Sequence, residues 1–82
     1  MATSLVEAYA PGTFDIARAE ANARAAAEGL SAEGVAVHYL RSILVHEDET
    51  CFHLIESDTE AAALALMRRA SLAFIRISQA HA

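Results

Sequence analysis

Four side chains of this sequence could together bind a transition metal, namely those of Glu7, His38, Cys51 and His53. Cys51 and His53 lie two residues apart in a run typical of a β-strand, so they point to the same side, about 6.5–7 Å apart. A thiolate and imidazoles suit zinc, nickel or copper, and a carboxylate from Glu7 or Glu56 adds a further ligand. These residue types and spacings predict a metal site, although the chain has neither a Cys-x-x-Cys pair nor a His-Glu-x-x-His motif.

The same residues also have a purely structural interpretation. A lone cysteine such as Cys51 is commonly a small buried hydrophobic residue. His38 and His53 could be interface histidines whose rings form hydrogen bonds across a dimer. Glu7 could pair with Arg76 on a neighbouring strand. Spacing alone leaves both interpretations open.

Hydrophobic patterns and turn residues predict the elements that position these side chains. In chain order, the prediction is a strand over 4–9, a helix over 14–28, strands over 35–45 and 50–56, a helix ending at about residue 70, and a strand over 74–78. Pro11-Gly12 marks the first turn, and Gly29 is expected to end the first helix. Ser57 and Glu60 match a capping box, in which the serine accepts a hydrogen bond from an amide one turn on.

The order strand, helix, strand, strand, helix, strand predicts one α+β domain over residues 1–82 with ferredoxin-like βαββαβ topology. Both helices then lie on one face of a four-stranded antiparallel sheet. With Val45 opposite Thr50 as the trial register, alternation divides the hairpin residues between the two faces. One face carries Val37, Tyr39, Phe52 and Leu54, and the other carries His38, Leu40, Ser42, Leu44, Cys51, His53 and Ile55.

Both faces of this predicted sheet are substantially apolar, but two helices can cover only one of them. An uncovered apolar sheet face is expected to pack against another molecule. We therefore predict a homodimer formed through the sheet. The alternative is that C-terminal residues, or a register that differs from the trial one, hide the second face within one chain.

The charge balance excludes several classes of partner. Eleven acidic residues against six basic ones, all arginine, give a formal net charge of −5. Such a surface repels phosphate groups, so we expect neither nucleic acid nor an anionic membrane surface as a partner. The single cysteine, the absence of a secretory signal pattern and the lack of an apolar run near the roughly 20 residues that span a bilayer predict a soluble, cytoplasmic protein.

Short segments between Leu5 and Ala80 carry a resemblance to a known family. They are Leu5-Val6-Glu7 with Pro11-Gly12, Val37-His38-Tyr39-Leu40-Arg41-Ser42, Cys51-Phe52-His53-Leu54-Ile55-Glu56, and Arg69-Ala70 with Ile75-Arg76-Ile77. They resemble a bacterial domain-of-unknown-function family in which one described member is a nickel-responsive, nickel-binding protein. The resemblance implies a dimeric ferredoxin-like protein that binds nickel. Family members carry a second cysteine where this chain has His53, and commonly Glu-Ala where it has Glu56-Ser57.

Three classes of function therefore stand open. The leading one is a homodimeric binding protein that holds nickel or another divalent transition metal at His38, Cys51, His53 and Glu7. The second, on fold analogy alone, is a small dimeric oxygenase or isomerase that acts on a small-molecule ligand. His38, Tyr39, Arg41 and His53 could supply its acid, base or anion-binding groups, but no nucleophile with its base and orienting group can be identified, so no catalytic residue is predicted. The third is a pure interaction module.

Overall fold

The chain folds in the predicted order of strands and helices. A computed structural model describes residues 1–80, and its elements are β1 (Ala2–Tyr9), α1 (Ile16–Ala32), β2 (Val37–Val45), a short 3₁₀ turn (His46–Asp48), β3 (Thr50–Ser57), α2 (Glu60–Arg69) and β4 (Arg76–Ala80). The strands form one antiparallel sheet in the order β2-β3-β1-β4, with both helices on one face. The predicted ferredoxin-like α+β fold is confirmed.

The first helix begins at a capping aspartate and runs past its predicted end. The Asp15 carboxylate accepts a hydrogen bond from the Arg18 amide at 3.0 Å, which satisfies one of the free amides of the first turn. The prediction that Gly29 ends the helix is wrong. Gly34, at φ +91°, takes the left-handed conformation that glycine favours, while Gly29 stays helical because Leu30, one residue later, is buried in the core.

The second helix begins at a different cap from the one predicted. The Thr59 hydroxyl accepts a hydrogen bond from the Ala62 amide at 3.1 Å, whereas the Ser57 hydroxyl donates to the Thr59 carbonyl at 2.7 Å. Ser57 cannot serve as the cap because it is still the last residue of β3, paired with both neighbouring strands. Neither helix has the length and apolar composition that crossing a membrane would require.

A β-bulge in β2 changes which residues face the helices. Val45 lies opposite Thr50 as predicted, but the pairing shifts between Tyr39 and Arg41, where β2 has one residue more than β3. Because side chains alternate along a strand, this extra residue reverses the faces of everything before it. The predicted faces of Val37, His38 and Tyr39 are therefore wrong.

After this correction, Val37 and Tyr39 are buried beneath the helices, while His38 lies opposite Glu56 on the other face. Leu40, at the bulge, is 42% exposed. Ser42 and Leu44, which follow the bulge, share a face with Cys51 and His53 as predicted.

The core lies between the helices and the sheet. Its fully buried large side chains include Val6, Val37, Ile55, Leu66 and Met67. The helix α1 contributes mainly alanines, whose short side chains let the helix backbone pack close to the sheet. This layer also contains two buried polar side chains that the sequence singled out, Cys51 and His53.

Candidate functional site

Cys51 and His53 are neighbours on β3 and point into the layer beneath α1. The Cys51 side chain is 0% exposed and His53 is 1% exposed. The His53 Nε2 atom lies 3.8 Å from the Cys51 Sγ atom, and its Nδ1 atom lies 2.7 Å from the Tyr39 hydroxyl. Both ring nitrogens of this buried imidazole therefore have a polar neighbour within the protein.

The group continues from Tyr39 towards α1. The Ser42 hydroxyl donates a hydrogen bond to the Glu20 carboxylate at 2.7 Å. The Arg24 Nη1 atom donates to the Tyr39 carbonyl oxygen at 3.2 Å, and its guanidinium carbon lies 5.2 Å from the centre of the Tyr39 ring. We call the buried Tyr39, Cys51 and His53, together with the half-buried Glu20 and Ser42, the buried polar cluster.

Burial keeps the titratable groups at the centre of this cluster uncharged near neutral pH. Burial raises the pKa of the Cys51 thiol, and the Glu20 carboxylate acts in the same direction. Burial lowers the pKa of His53, against the opposing effect of Glu20. Burial also raises the pKa of Tyr39 to about 12. Because the nucleophilic form of cysteine is the thiolate, the cluster holds Cys51 in its less reactive form.

The four predicted metal ligands separate into two pairs on opposite faces of the sheet. Cys51 and His53 lie in the buried polar cluster. Glu7 lies on the other face, where its carboxylate accepts a hydrogen bond from Arg76 Nε at 2.9 Å in the predicted cross-strand ion pair. His38 is exposed on that same face because of the bulge, so its predicted position beside Cys51 is wrong. Within residues 1–80, no three His, Cys, Asp or Glu side chains are placed to hold a metal ion.

Sequence reasoning did not indicate that Glu20 belongs to the buried polar cluster, nor did it indicate the contacts that Tyr39 and Ser42 make there. Tyr39 joins it only because the bulge turns its ring towards the helices, and alternation alone does not reveal a bulge. Glu20 lies on α1 next to the buried Ala19 and one turn before the buried Ala23. Its position beside the apolar stripe of the helix was the one sequence feature that could have indicated a polar contact with the sheet. Ser42 was assigned to the correct face of the sheet, but its hydrogen bond to Glu20 was not predicted.

The second candidate region is the sheet face that points away from the helices, which we call the open sheet face. Its residues are Thr3, Leu5, Glu7 and Tyr9 of β1, His38, Arg41, Ile43 and Val45 of β2, Thr50, Phe52, Leu54 and Glu56 of β3, and Arg76, Ser78 and Ala80 of β4.

The middle of the open sheet face is apolar. Leu5, Phe52 and Leu54 lie there half-buried among their neighbours, whereas Ile43 is 40% exposed and Tyr9 is 61% exposed. None of the elements within residues 1–80 covers this face. Apolar side chains that share one uncovered surface are a common feature of binding sites.

No protein-family model, curated protein or solved structure matches the chain. The family suggested by the short sequence segments therefore stays a prediction.

Proposed function

We propose that this chain is a homodimeric binding protein in which the open sheet face of one copy packs on the same face of a second copy. The observation that carries the proposal is an apolar sheet centre that no described element covers. A twofold interface uses the same patch twice, so one apolar patch is sufficient. Tyr9 and Phe52 add aromatic side chains of the kind that dominate the energy of interfaces.

The distribution of charge supports self-association through this face. The open sheet face carries two arginines, Arg41 and Arg76, and two glutamates, Glu7 and Glu56. It therefore has no formal net charge, whereas the rest of the chain carries the whole −5. Two copies can therefore approach through this face without concentrating like charges.

Pairing through the edge of the sheet has less support than pairing through its face. Along β2, the carbonyl oxygens of Val37 and Tyr39 already accept hydrogen bonds from Ser31 and Arg24 of α1. The bulge after Tyr39 interrupts the same edge, and bulges protect edge strands against the addition of another strand. These features favour a face-to-face dimer over a continuous sheet.

The proposal includes the predicted cytoplasmic location. Cys51 is a free, buried thiol with no partner cysteine in the sequence. A protein that uses no disulfide suits a reducing compartment.

Light scattering on a sizing column tests the dimer. Wild-type protein is expected to have twice the 8.7 kDa mass of one chain. Ile43→Glu places a charge in the proposed interface and should weaken association by about 100-fold or more, because an unpaired charge is costly to bury. Ala61→Glu adds the same charge at an exposed position of α2 and is the matched control. A monomeric wild type, or equal effects of the two substitutions, would contradict the proposal.

Transition-metal binding is the second candidate function, and the Cys51–His53 pair favours it. Zn–S and Zn–N bonds of about 2.3 and 2.0–2.1 Å at a tetrahedral angle separate the two ligand atoms by about 3.6 Å. The observed separation of 3.8 Å is close to that value. Cys51 and His53 would hold the ion, with nickel suggested by the sequence resemblance. Glu7 and His38 do not fit the same ion within one chain, because they lie across the sheet.

Calorimetric titration of chelator-treated protein with nickel, zinc and copper tests this second candidate. We expect binding that is lost in Cys51→Ala and His53→Ala but retained in His38→Ala. Wild-type protein that shows no saturable binding, or binding that depends on His38 alone, would remove the Cys51–His53 pair as a metal site.

A further inference from the structure

The directions of the hydrogen bonds in the buried polar cluster start from Glu20, its outermost member. A carboxylate has only acceptor atoms, so the Ser42 hydroxyl is the donor in the 2.7 Å contact between the two side chains. Ser42 has a single O–H, and this bond uses it. Any further hydrogen bond of the Ser42 oxygen is therefore one that it accepts.

Tyr39 is the next group of the cluster. Ser42 lies opposite His53 in the pairing of β2 with β3, which places it beside the contact between His53 and the Tyr39 hydroxyl. Burial raises the pKa of Tyr39, and a hydrogen bond with the Ser42 side chain opposes that rise. Because the Ser42 proton is directed to Glu20, the Tyr39 hydroxyl is the donor in this bond. The negative charge of Glu20 favours the same orientation of the Tyr39 O–H.

These two steps determine which nitrogen of His53 carries the proton. The Tyr39 oxygen lies 2.7 Å from His53 Nδ1, and its only proton is directed to Ser42, so Nδ1 is the donor. Burial lowers the pKa of His53, so the ring is uncharged near neutral pH and has a single N–H. The other nitrogen, Nε2, then has a lone pair, and it lies 3.8 Å from Cys51 Sγ. The thiol is therefore the donor in that contact.

We propose that Glu20 is a positioning residue for His53 and acts through the two hydroxyl groups between them. It holds the imidazole in the tautomer with its proton on Nδ1, so that the Nε2 lone pair is directed at Cys51. Hydrogen bonds that all point the same way along such a chain strengthen one another. The tautomer is a property of the metal-free chain and does not depend on the proposed dimer.

The consequence for metal binding rests on the second proposed function. A histidine that binds a metal ion through Nε2 usually donates its other N–H to an outer partner, which fixes its tautomer. Here Tyr39, Ser42 and Glu20 would be those outer partners. Loss of such a partner typically lowers metal affinity by about 10–100-fold, so Glu20→Gln should weaken zinc binding to a similar extent.

Nitrogen-15 chemical shifts of the histidine rings, measured on metal-free protein near neutral pH, test the tautomer. A ring nitrogen that carries a proton resonates far from one that carries a lone pair. We expect the His53 proton on Nδ1 in wild-type protein, with His53→Leu identifying the signals. Glu20→Gln should shift the population towards Nε2, because an amide can also donate to Ser42 and no longer imposes one direction. Ser42→Ala should do the same, because it frees the Tyr39 hydroxyl to donate to Nδ1.

Glu28→Gln is the matched control. It removes the same charge from an exposed position of α1 outside the cluster, so it should leave the tautomer unchanged. The inference is overturned if wild-type His53 carries a proton on Nε2, or if neither Glu20→Gln nor Ser42→Ala changes the tautomer more than Glu28→Gln does. Because the protein is metal-free, these outcomes are distinct from a failure to bind metal in the calorimetric titration.

Discussion

Replacing Tyr39 by phenylalanine tests the buried polar cluster most sharply. Every buried side-chain nitrogen and oxygen in residues 1–80 has a hydrogen-bond partner, and the Tyr39 hydroxyl is the partner of His53 Nδ1 at 2.7 Å. The substitution removes one oxygen atom and leaves the ring in place. His53, 1% exposed, would then hold a ring nitrogen without a partner and out of reach of water.

The expected loss of stability follows from that burial. Leaving a buried polar atom unsatisfied costs about 1–3 kcal/mol, more than the net value of an average hydrogen bond. For a domain of this size, such a loss lowers Tm by roughly 5–20 °C. Replacing His53 by leucine in the same Tyr39→Phe chain removes the orphaned nitrogen. The double variant should therefore recover part of the loss.

Urea unfolding followed by circular dichroism measures these changes, at one fixed protein concentration because association alters apparent stability. Thr13→Val is the control, since it also removes one hydroxyl, at an exposed position away from the open sheet face, and should stay within about 0.5 kcal/mol of wild type. A Tyr39→Phe variant as stable as the Thr13→Val variant would refute the proposed role of the Tyr39 hydroxyl in the cluster.

Three further predictions concern acid, helix packing and helix capping. Burial lowers the pKa of His53 below its ordinary 6.5, so the unfolded chain binds a proton at this residue more readily than the folded chain does. The free energy of unfolding should therefore decrease as the pH falls below 6.5. In urea titrations at several pH values, His53→Leu should make this decrease smaller. Gly29→Ala should raise the free energy of unfolding by up to about 1 kcal/mol, because alanine favours the helix more than glycine does. An added Cβ would lie 3.1 Å from Arg69 Nη1, which is a tight contact, so the gain should be larger when the same substitution is made in an Arg69→Ala background. Asp15→Ala should lower the free energy of unfolding by about 1 kcal/mol, measured by urea unfolding, through loss of the cap.

The sequence was sufficient to predict the order of elements and the overall topology. Alternation, turn residues and alanine-rich runs act locally, so they mark strands and helices without knowledge of the fold. The Val45–Thr50 register also followed from local information, because a short hairpin loop fixes the pairing of the strands beside it. The predicted helix end at Gly29 was wrong because the conformation of this residue depends on the burial of Leu30, which is a tertiary contact.

The candidate site was less predictable because it depends on the bulge. One extra residue near Leu40 moved His38 to the open sheet face and brought the Tyr39 hydroxyl to His53. No glycine or proline marks this position in the sequence. Val37 and Tyr39 are more apolar than His38 between them, but both predicted faces were apolar, so this alternation did not reveal the bulge.

Two copies of the chain are expected to meet through the open sheet face. Isotope-filtered nuclear Overhauser measurements on a mixture of labelled and unlabelled protein test this contact directly, because they detect only contacts between copies. We expect intermolecular signals from Leu5, Ile43, Phe52 and Leu54, and none from the exposed alanines of α1. Intermolecular signals confined to the helices, or none from a sample at high concentration, would contradict the claim.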